Sequence, residues 1–305
     1  MRVPRWVWLL VPLVGLFELG AHVFFAGRAP RVEEWRAAAA TVLANKRPGE
    51  PIVVAPGWAE PLARHAFGDA AFPLEEVARP DAAGFRRFLE VSALGARAEE
   101  TRGFRVVEEK TSGPFVVRVL ENPAPVRARY RFLDHAVPAE LEVSLVDGDQ
   151  SVPCPYDEHA RPFAGGLHGE VAFPRARFVC PGDLAAFVGI TVIDDQEYRP
   201  RRCLWARPPQ DGFLRLRFSG VTLERRLRGF AGLSYFLFRD GYGPPISLRA
   251  RVNGELAGSY RHEDAWGWHG FSLPTAPGAD RVVDFEIESE HADARDFCFY
   301  AEAAE

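Results

Sequence analysis

The hydrophobic period of this 305-residue chain changes at Pro123-Ala124-Pro125, which reads as a stiff linker. Beyond it the helical period disappears. Only short alternating or β-rich runs follow: Tyr130 to Leu133, Leu141 to Val146, Val188 to Ile193, Leu214 to Phe218, Ile246 to Val252, Gly267 to Leu273, Val282 to Ile287 and Phe297 to Tyr300. Strands place successive side chains on opposite faces, so such runs need a second sheet against which to bury one face. The spacing predicts an antiparallel, jelly-roll-like β-sandwich over residues 126–305, with a Pro/Gly-rich excursion near 151–200. Before the linker, helices alternate with strands, which predicts a small α/β layer over residues 31–122. The expected fold class is therefore α+β multidomain.

The first 27 residues stand apart from both regions. Trp6 to Ala26 form an apolar run of about 21 residues that would rise about 31 Å as a helix, close to a hydrocarbon core of about 30 Å. A cleaved signal peptide has a shorter apolar region and small residues before the cut, whereas Phe24 and Phe25 precede Ala26 here. The run predicts a transmembrane signal-anchor over residues 1–27. Arg2 and Arg5 face Arg28, Arg31 and Arg36 across it, so flanking charge does not set its orientation. Glu18 and His22 fall at i,i+4 inside the run, as an intramembrane pair that either satisfies itself or touches a helix of an integral membrane partner.

Cys154, Cys180, Cys203 and Cys298 all lie beyond residue 150 and form no CxxC. Their spacings do not match a zinc site. An even count after an anchor suits two disulfides in an oxidising compartment. Three connectivities are open; the expected one joins Cys154 to Cys180 and Cys203 to Cys298. Four buried free thiols in a cytoplasmic domain are the other reading. The expected location is a bacterial-type inner membrane, single-pass, with the soluble domains periplasmic.

In the first soluble region, RVEEWRAAAATVLANK has the spacing of an amphipathic helix, and Pro51 to Ala55 reads as a buried strand. Gly57 to Leu62 leads into another helix, and Asp81 is expected to cap a helical turn. Phe88 to Ser92 is a second strand, and Phe104 to Glu109 and Phe115 to Leu120 form a hairpin turned at Ser112-Gly113-Pro114. This order, with RPGEPIVV, FLEVS and FRVVEEKTSGPFVVRVL, resembles the extracytoplasmic soluble lobe of dolichyl-phosphate-mannose-mannosyltransferase-like membrane glycosyltransferases. The resemblance implies an envelope location and a scaffold. It brings no catalytic residue, because the family's catalytic acid sits on a loop of a many-helix membrane domain. Ligands of open α/β sheets bind beyond strand carboxyl ends, which here offers Gly57, Trp58, Glu60, Arg64, His65 and Asp69 as a cleft. The other reading makes Trp58 a core lid and His65 and Asp69 surface groups. No GxGxxG or GxxxxGK[ST] follows the strand, so no dinucleotide or nucleoside triphosphate is implied.

In the second region, Asp147-Gly148-Asp149 reads as a turn tip rather than a metal site. Asp194, Asp195 and Glu197 offer hard oxygen ligands for calcium, or form a turn neutralised by Arg199, Arg201 and Arg202. The stretch ISLRARVNGELAGSYRHEDAWGWHGFSL, with DRVVDFEIES and FCFYAEA, resembles the second half of galactose-binding-like jelly rolls over residues 240–303. In that pattern a strand ends in an -NGE- turn, a GW-x-x-F strand follows and a final pair closes the sheet; Trp268 and Phe271 are then core. Trp266 stands beside His262, Asp264 and His269, with Asp240 and Tyr242 in another expected loop. An aromatic platform beside carboxylate and imidazole groups suits a sugar face. The other reading makes Trp266 a cover over the sandwich end.

No GxSxG, HExxH or Cys/His signature occurs, and a net charge of −5 gives no basic field for nucleic acid. The chain is expected to carry no cofactor, no metal and no catalytic residue. Its expected function is extracytoplasmic binding of a cell-envelope glycan or of a membrane partner. An accessory subunit of an envelope polysaccharide or glycolipid glycosyltransferase pathway and a glycoside-active enzyme are the alternatives.

Overall fold

The structure, a computed structural model, describes residues 7–27, 30–161, 174–182, 186–195, 199–233, 243–263, 267–290 and 297–305. The chain divides into two compact units: Met1–Glu76 with Phe85–Ala124, and Val77–Gly84 with Pro125–Glu305.

Val7–Ala26 form helix α1, a 20-residue element containing Pro12. Leu10, Val11, Leu13, Val14, Leu16, Phe17, Leu19, Val23 and Phe24 are all exposed on it. Among the described residues, no helix is long and apolar enough to cross a membrane, so the spanning anchor expected over residues 1–27 is not shown. Glu18 and His22 break the apolar run; both are exposed.

In the first unit, α2 (Val32–Asn45) opens with a capping box in which the Arg31 N–H donates to Glu34 Oε2 at 2.6 Å. It buries Trp35, Ala38 and Val42, and the Trp35 ring packs 4.2 Å from that of Phe115. Strand β1 (Ile52–Ala55) pairs in parallel with β2 (Arg87–Ala93), and β3 (Arg105–Ser112) and β4 (Phe115–Glu121) complete an order β1-β2-β4-β3. Helix α3 (Glu60–Phe67) packs on α2 through Ala63 and Phe67. One charge is deep in this layer. Glu90 on β2 is fully buried, and it accepts from the Ala98 N–H at 2.9 Å and from Arg118 at 2.9 Å, with Arg97 2.8 Å away. A buried carboxylate requires such partners.

The second unit is a two-sheet antiparallel sandwich. One sheet runs β15 (Glu255–His262), β14 (Ile246–Val252), β17 (Gly278–Ser289), β12 (Phe213–Leu223), β6 (Leu141–Asp147) and β7 (Gln150–Pro153). The other runs β16 (His269–Pro274), β13 (Arg226–Leu233), β18 (Phe297–Ala304), β11 (Pro200–Ala206), β10 (Phe187–Asp194), β9 (Arg177–Val179) and β8 (Tyr156–Asp157), with β5 (Ala128–Arg131) also paired to β18. Alternation decides which faces meet: Val283, Phe285 and Ile287 of β17 are buried, while Asp284, Glu286 and Glu288 point to the other face and pair with arginines. The Phe132 ring lies 4.9 Å from Phe285 and 5.0 Å from Phe218 in the core. Burying one such side chain contributes about 1.5–3 kcal/mol.

The strand expected over Tyr130 to Leu133 stops at Arg131; Phe132–His135 form a 3-10 turn that drives Phe132 inward. β7, β8, β9, β13 and β15 were not expected, and the middle strand expected at Cys203 is β11. The final pair expected to close the jelly roll does not pair: β17 and β18 lie in opposite sheets. The -NGE- turn does join β14 to β15, with φ of 50° at Asn253 and 87° at Gly254, the left-handed pair that Asn-Gly supplies most readily. Gly229 of β13 is fixed differently: a Cβ there would meet Phe271 Cζ and the Tyr300 carbonyl oxygen at 2.3 Å.

Cys154 bonds to Cys180 and Cys203 to Cys298, so the expected pairing holds and no cysteine is free. Asp81 caps no helix. It lies in Val77–Gly84, an eight-residue strap that belongs to the sandwich. The Ala78 carbonyl accepts from the Arg202 N–H at 2.9 Å, and the Arg79 carbonyl accepts from Arg201 Nη1 at 3.0 Å.

Candidate functional site

Asp240, Tyr242, Asp264 and Trp266, four members of the expected sugar platform, lie outside the described residues. The remaining two are described. His262 ends β15 and His269 begins β16, and their rings stand 5.7 Å apart. His262 is 2% exposed, its Nδ1 3.0 Å from the Tyr260 hydroxyl and its ring 6.0 Å from that of Phe297. It is therefore a core-facing imidazole and not an open sugar contact. Burial pushes the Tyr260 hydroxyl up to about 12. Trp268 is half-buried, stacked over Phe230 with centroids 6.5 Å apart and packed on the cluster around the Cys203–Cys298 bond. Phe271 is buried beneath Tyr260, as a core residue should be.

The residues expected to form a cleft beyond β1 are all described. Trp58 is 61% exposed rather than a lid, because it sits in a 3-10 turn ahead of α3. Arg64 donates to Glu60 at 2.7 Å, one helical turn away, and its guanidinium lies over Phe72. His65 and Asp69 are exposed. Glu60, Arg64 and His65 lie on α3, while Trp58 and Asp69 sit in the 3-10 turns that flank it.

Asp195 is fully buried: Oδ2 accepts from Arg201 Nε at 2.9 Å and Oδ1 from the Arg199 N–H at 3.0 Å. That is the neutralised turn, not a calcium loop; Glu197 lies outside the described residues. Among the described residues no group of three metal-ligating side chains converges.

Concavity lies elsewhere on the sandwich. A cleft of about 390 Å³ is lined by Glu142 and Ser144 of β6, Ser151 and Pro153 of β7, Tyr156, and Arg215 and Arg217 of β12. A neighbouring one of about 300 Å³ shares Leu141, Tyr156 and Phe178 with it and is lined further by Arg175 and Val188. The Tyr156 ring stands edge-on to Phe178 at 5.0 Å. Chain geometry makes this concavity. After β7 the chain leaves one sheet at Pro153 and joins the other at Tyr156, and the Cys154–Cys180 bond fixes the crossing. Arg217 is held by Asp284 through two bonds of 2.7 and 3.0 Å, which raise its pKa above the usual guanidinium value. Arg215 is different. Glu286 stands opposite it in register, but Arg249 and Arg251 take that carboxylate's two oxygens at 3.1 and 2.9 Å. Arg215 has no carboxylate partner among the described residues and rests over the Phe213 ring at 5.5 Å.

The cleft thus combines an aromatic ring, two serine hydroxyls and a guanidinium with free donors. Glu142 is the one carboxylate lining either cleft among the described residues, where a glycosidase uses two. Sequence reasoning missed Tyr156, Ser144, Ser151 and Arg215. The Leu-Arg-Leu-Arg alternation of β12 was a signal for the arginine, but nothing local marked Tyr156.

No protein-family model matches the chain, and no curated protein matches it in sequence. The resemblance of residues 31–122 to a glycosyltransferase lobe therefore stands without support. Among solved structures, the chain is similar to CBM51 from Clostridium perfringens GH95 in complex with methyl-galactose, at 10% identity, covering 38% of this chain and 79% of that one, with a TM-score of 0.27. It is similar to the tandem CBM51 modules of a family 98 glycoside hydrolase from Streptococcus pneumoniae, at 12% identity, covering 63% and 56%, with a TM-score of 0.28. A glycoside hydrolase family 43 arabinoxylan arabinofuranohydrolase from Bacillus subtilis, in complex with cellotetraose, matches at 10% identity, covering 72% and 51%, with a TM-score of 0.28. The match spans about half the length of the latter two chains. Likeness at this level carries no argument about ligand or activity.

Proposed function

We propose that this chain is a carbohydrate-binding protein of the cell envelope, non-catalytic, whose sandwich takes a glycan in the cleft between β6, β7 and β12. The observation that carries the reading is the convergence of Tyr156, Ser144, Ser151 and Arg215 on one concave surface of about 390 Å³. Sugars present an apolar C–H face and a rim of hydroxyls, and an aromatic ring beside hydroxyl and guanidinium donors complements both. The two disulfides support an oxidising, extracytoplasmic location. Attachment to the inner membrane through α1 belongs to the same reading, supported by its exposed apolar side chains. A contact of Glu18 and His22 with an integral membrane partner, and a place as accessory subunit in an envelope polysaccharide pathway, go with it as partner proposals.

The test is an envelope-glycan array with four proteins: wild type, Tyr156→Ala, Ser151→Trp and Trp266→Ala with Tyr242→Ala. Ser151 is exposed on an edge strand, so a Trp there fills the cleft with little effect on folding. Binding by wild type that both cleft variants lose is expected, with the melting temperature unchanged in Ser151→Trp and lowered in Tyr156→Ala, whose ring packs on Phe178. Loss in the Trp266 and Tyr242 variant alone would move the site to the β15–β16 end. No wild-type binding to any glycan would remove the reading.

A further inference from the structure

Four arginines stand on the outer face of the β14-β17-β12 sheet, and carboxylates of the same face hold three of them. Asp284 binds Arg217, Glu286 binds Arg249 and Arg251, and Glu288 binds Arg249 at 2.7 and 2.8 Å. Arg215 is the fourth. Its register neighbour across β17 is Glu286, already saturated by two other guanidiniums, and its neighbour across β6 is Ser144, which carries no charge. Arg215 is half-buried and lines the cleft. The planar fork of a guanidinium matches a carboxylate bidentately, and such charge-assisted bonds are about twice as strong as neutral ones. A free guanidinium at the wall of a cleft, with serine hydroxyls and a tyrosine ring around it, therefore selects a ligand that brings its own carboxylate.

We infer that the ligand class is an acidic saccharide, a glycan bearing uronic or sialic acid residues, whose carboxylate Arg215 receives while Tyr156 carries the sugar face and Ser144 and Ser151 take hydroxyls. This rests on the glycan reading of the cleft and narrows it. An acidic peptide shares the carboxylate but presents no ring face for Tyr156 and few hydroxyls for the serines, which favours the saccharide.

Titration calorimetry on the full chain tests this with uronate-bearing and sialylated oligosaccharides, the same oligosaccharides after carboxyl reduction, and poly-glutamate. The acidic forms are expected to bind at least about tenfold more tightly than their reduced counterparts, a gap of about 1.4 kcal/mol. Arg215→Gln should erase that gap while leaving the residual affinity of the reduced forms, and Arg215→Lys should restore part of it. Equal binding of acidic and reduced forms, unaffected by Arg215→Gln, would overturn the acidic class and leave glycan binding standing. Poly-glutamate bound as tightly through Arg215 would overturn the saccharide class. No binding of either saccharide form would overturn both the inference and the reading beneath it.

Discussion

Asp81 Oδ2 lies 2.9 Å from Arg228 Nη1, although the two residues are 147 apart in sequence. The pair ties the Val77–Gly84 strap to β13. Arg228 also donates through Nε to Glu302 Oε1 at 2.5 Å, and the Tyr300 hydroxyl donates to Glu302 Oε2 at 2.5 Å. Glu302 is 3% exposed, and burial together with that carboxylate pushes the Tyr300 hydroxyl well above the usual phenol range. A strap distant in sequence thus completes a charge network within the same compact unit.

Removing Arg228 should cost far more than removing Asp81. Arg228→Leu leaves Glu302 buried without its close cation, at a cost of about 3–5 kcal/mol. Asp81→Asn leaves the Arg228–Glu302 pair intact and should cost about 1 kcal/mol. Urea unfolding midpoints at constant slope measure both. Equal costs would contradict this division of the network.

The disulfides should differ in the stability they contribute. Loops of 26 and 95 residues give chain-entropy estimates of about 3.5 and about 4.7 kcal/mol. Cys203→Ala with Cys298→Ala is therefore expected to lower the melting temperature more than Cys154→Ala with Cys180→Ala. The Cys154 pair should have the larger effect on the cleft, because it fixes the crossing that carries Tyr156. A melting temperature insensitive to reductant would contradict the account of both bonds.

Gly229→Ala should destabilise sharply. The added methyl meets both the Phe271 ring and the Tyr300 backbone, and overpacking of this kind costs about 1–3 kcal/mol or more. Phe271→Leu in the same chain relieves the ring contact but not the backbone one, so rescue should be partial. Full rescue would show that the carbonyl contact is harmless.

Alkaline pH should weaken the fold in a defined window. Burial pushes Tyr260 up to about 12, and burial with a smaller contribution from Glu140 pushes Tyr130 up to about 12. In the unfolded chain tyrosine loses its proton near about 10. A folded pKa raised above the unfolded one contributes stability that is fully present below about pH 10 and is lost as pH rises through about 12. Tyr260→Phe should flatten that decline, as read from urea midpoints across the window. An unchanged slope would contradict the burial of Tyr260.

The sandwich was legible where alternation is strict, as in Val283, Phe285 and Ile287 against Asp284, Glu286 and Glu288. It was illegible where charges are held by remote partners. The start of β11 looked like the basic end of a loop, because Arg201 and Arg202 reach Asp195 and the Ala78 and Arg79 carbonyls, contacts that sequence spacing does not reveal. β13 was hidden likewise by Arg226 and Arg228, the latter answered by Asp81. Four cysteines leave three connectivities open, and the expected one holds because β11 and β18 are hydrogen-bonded neighbours, which brings Cys203 within bonding reach of Cys298. Of the cleft only the β12 arginines were legible: Tyr156 comes to line it with Arg215 because the chain crosses from sheet to sheet between Pro153 and Tyr156. In the Trp58 region the strand followed by a helix was legible, but the pairing of Glu60 with Arg64 one turn apart was not read.

The central claim is that the β6–β7–β12 cleft holds the glycan, and backbone amide shift mapping of the full chain with an oligosaccharide from the array tests it most directly. The account expects the largest shifts at Ser144, Ser151, Tyr156 and Arg215, with Ser151→Trp abolishing them at unchanged melting temperature. Shifts confined to His262, His269 and their neighbours, and untouched by Ser151→Trp, would contradict it.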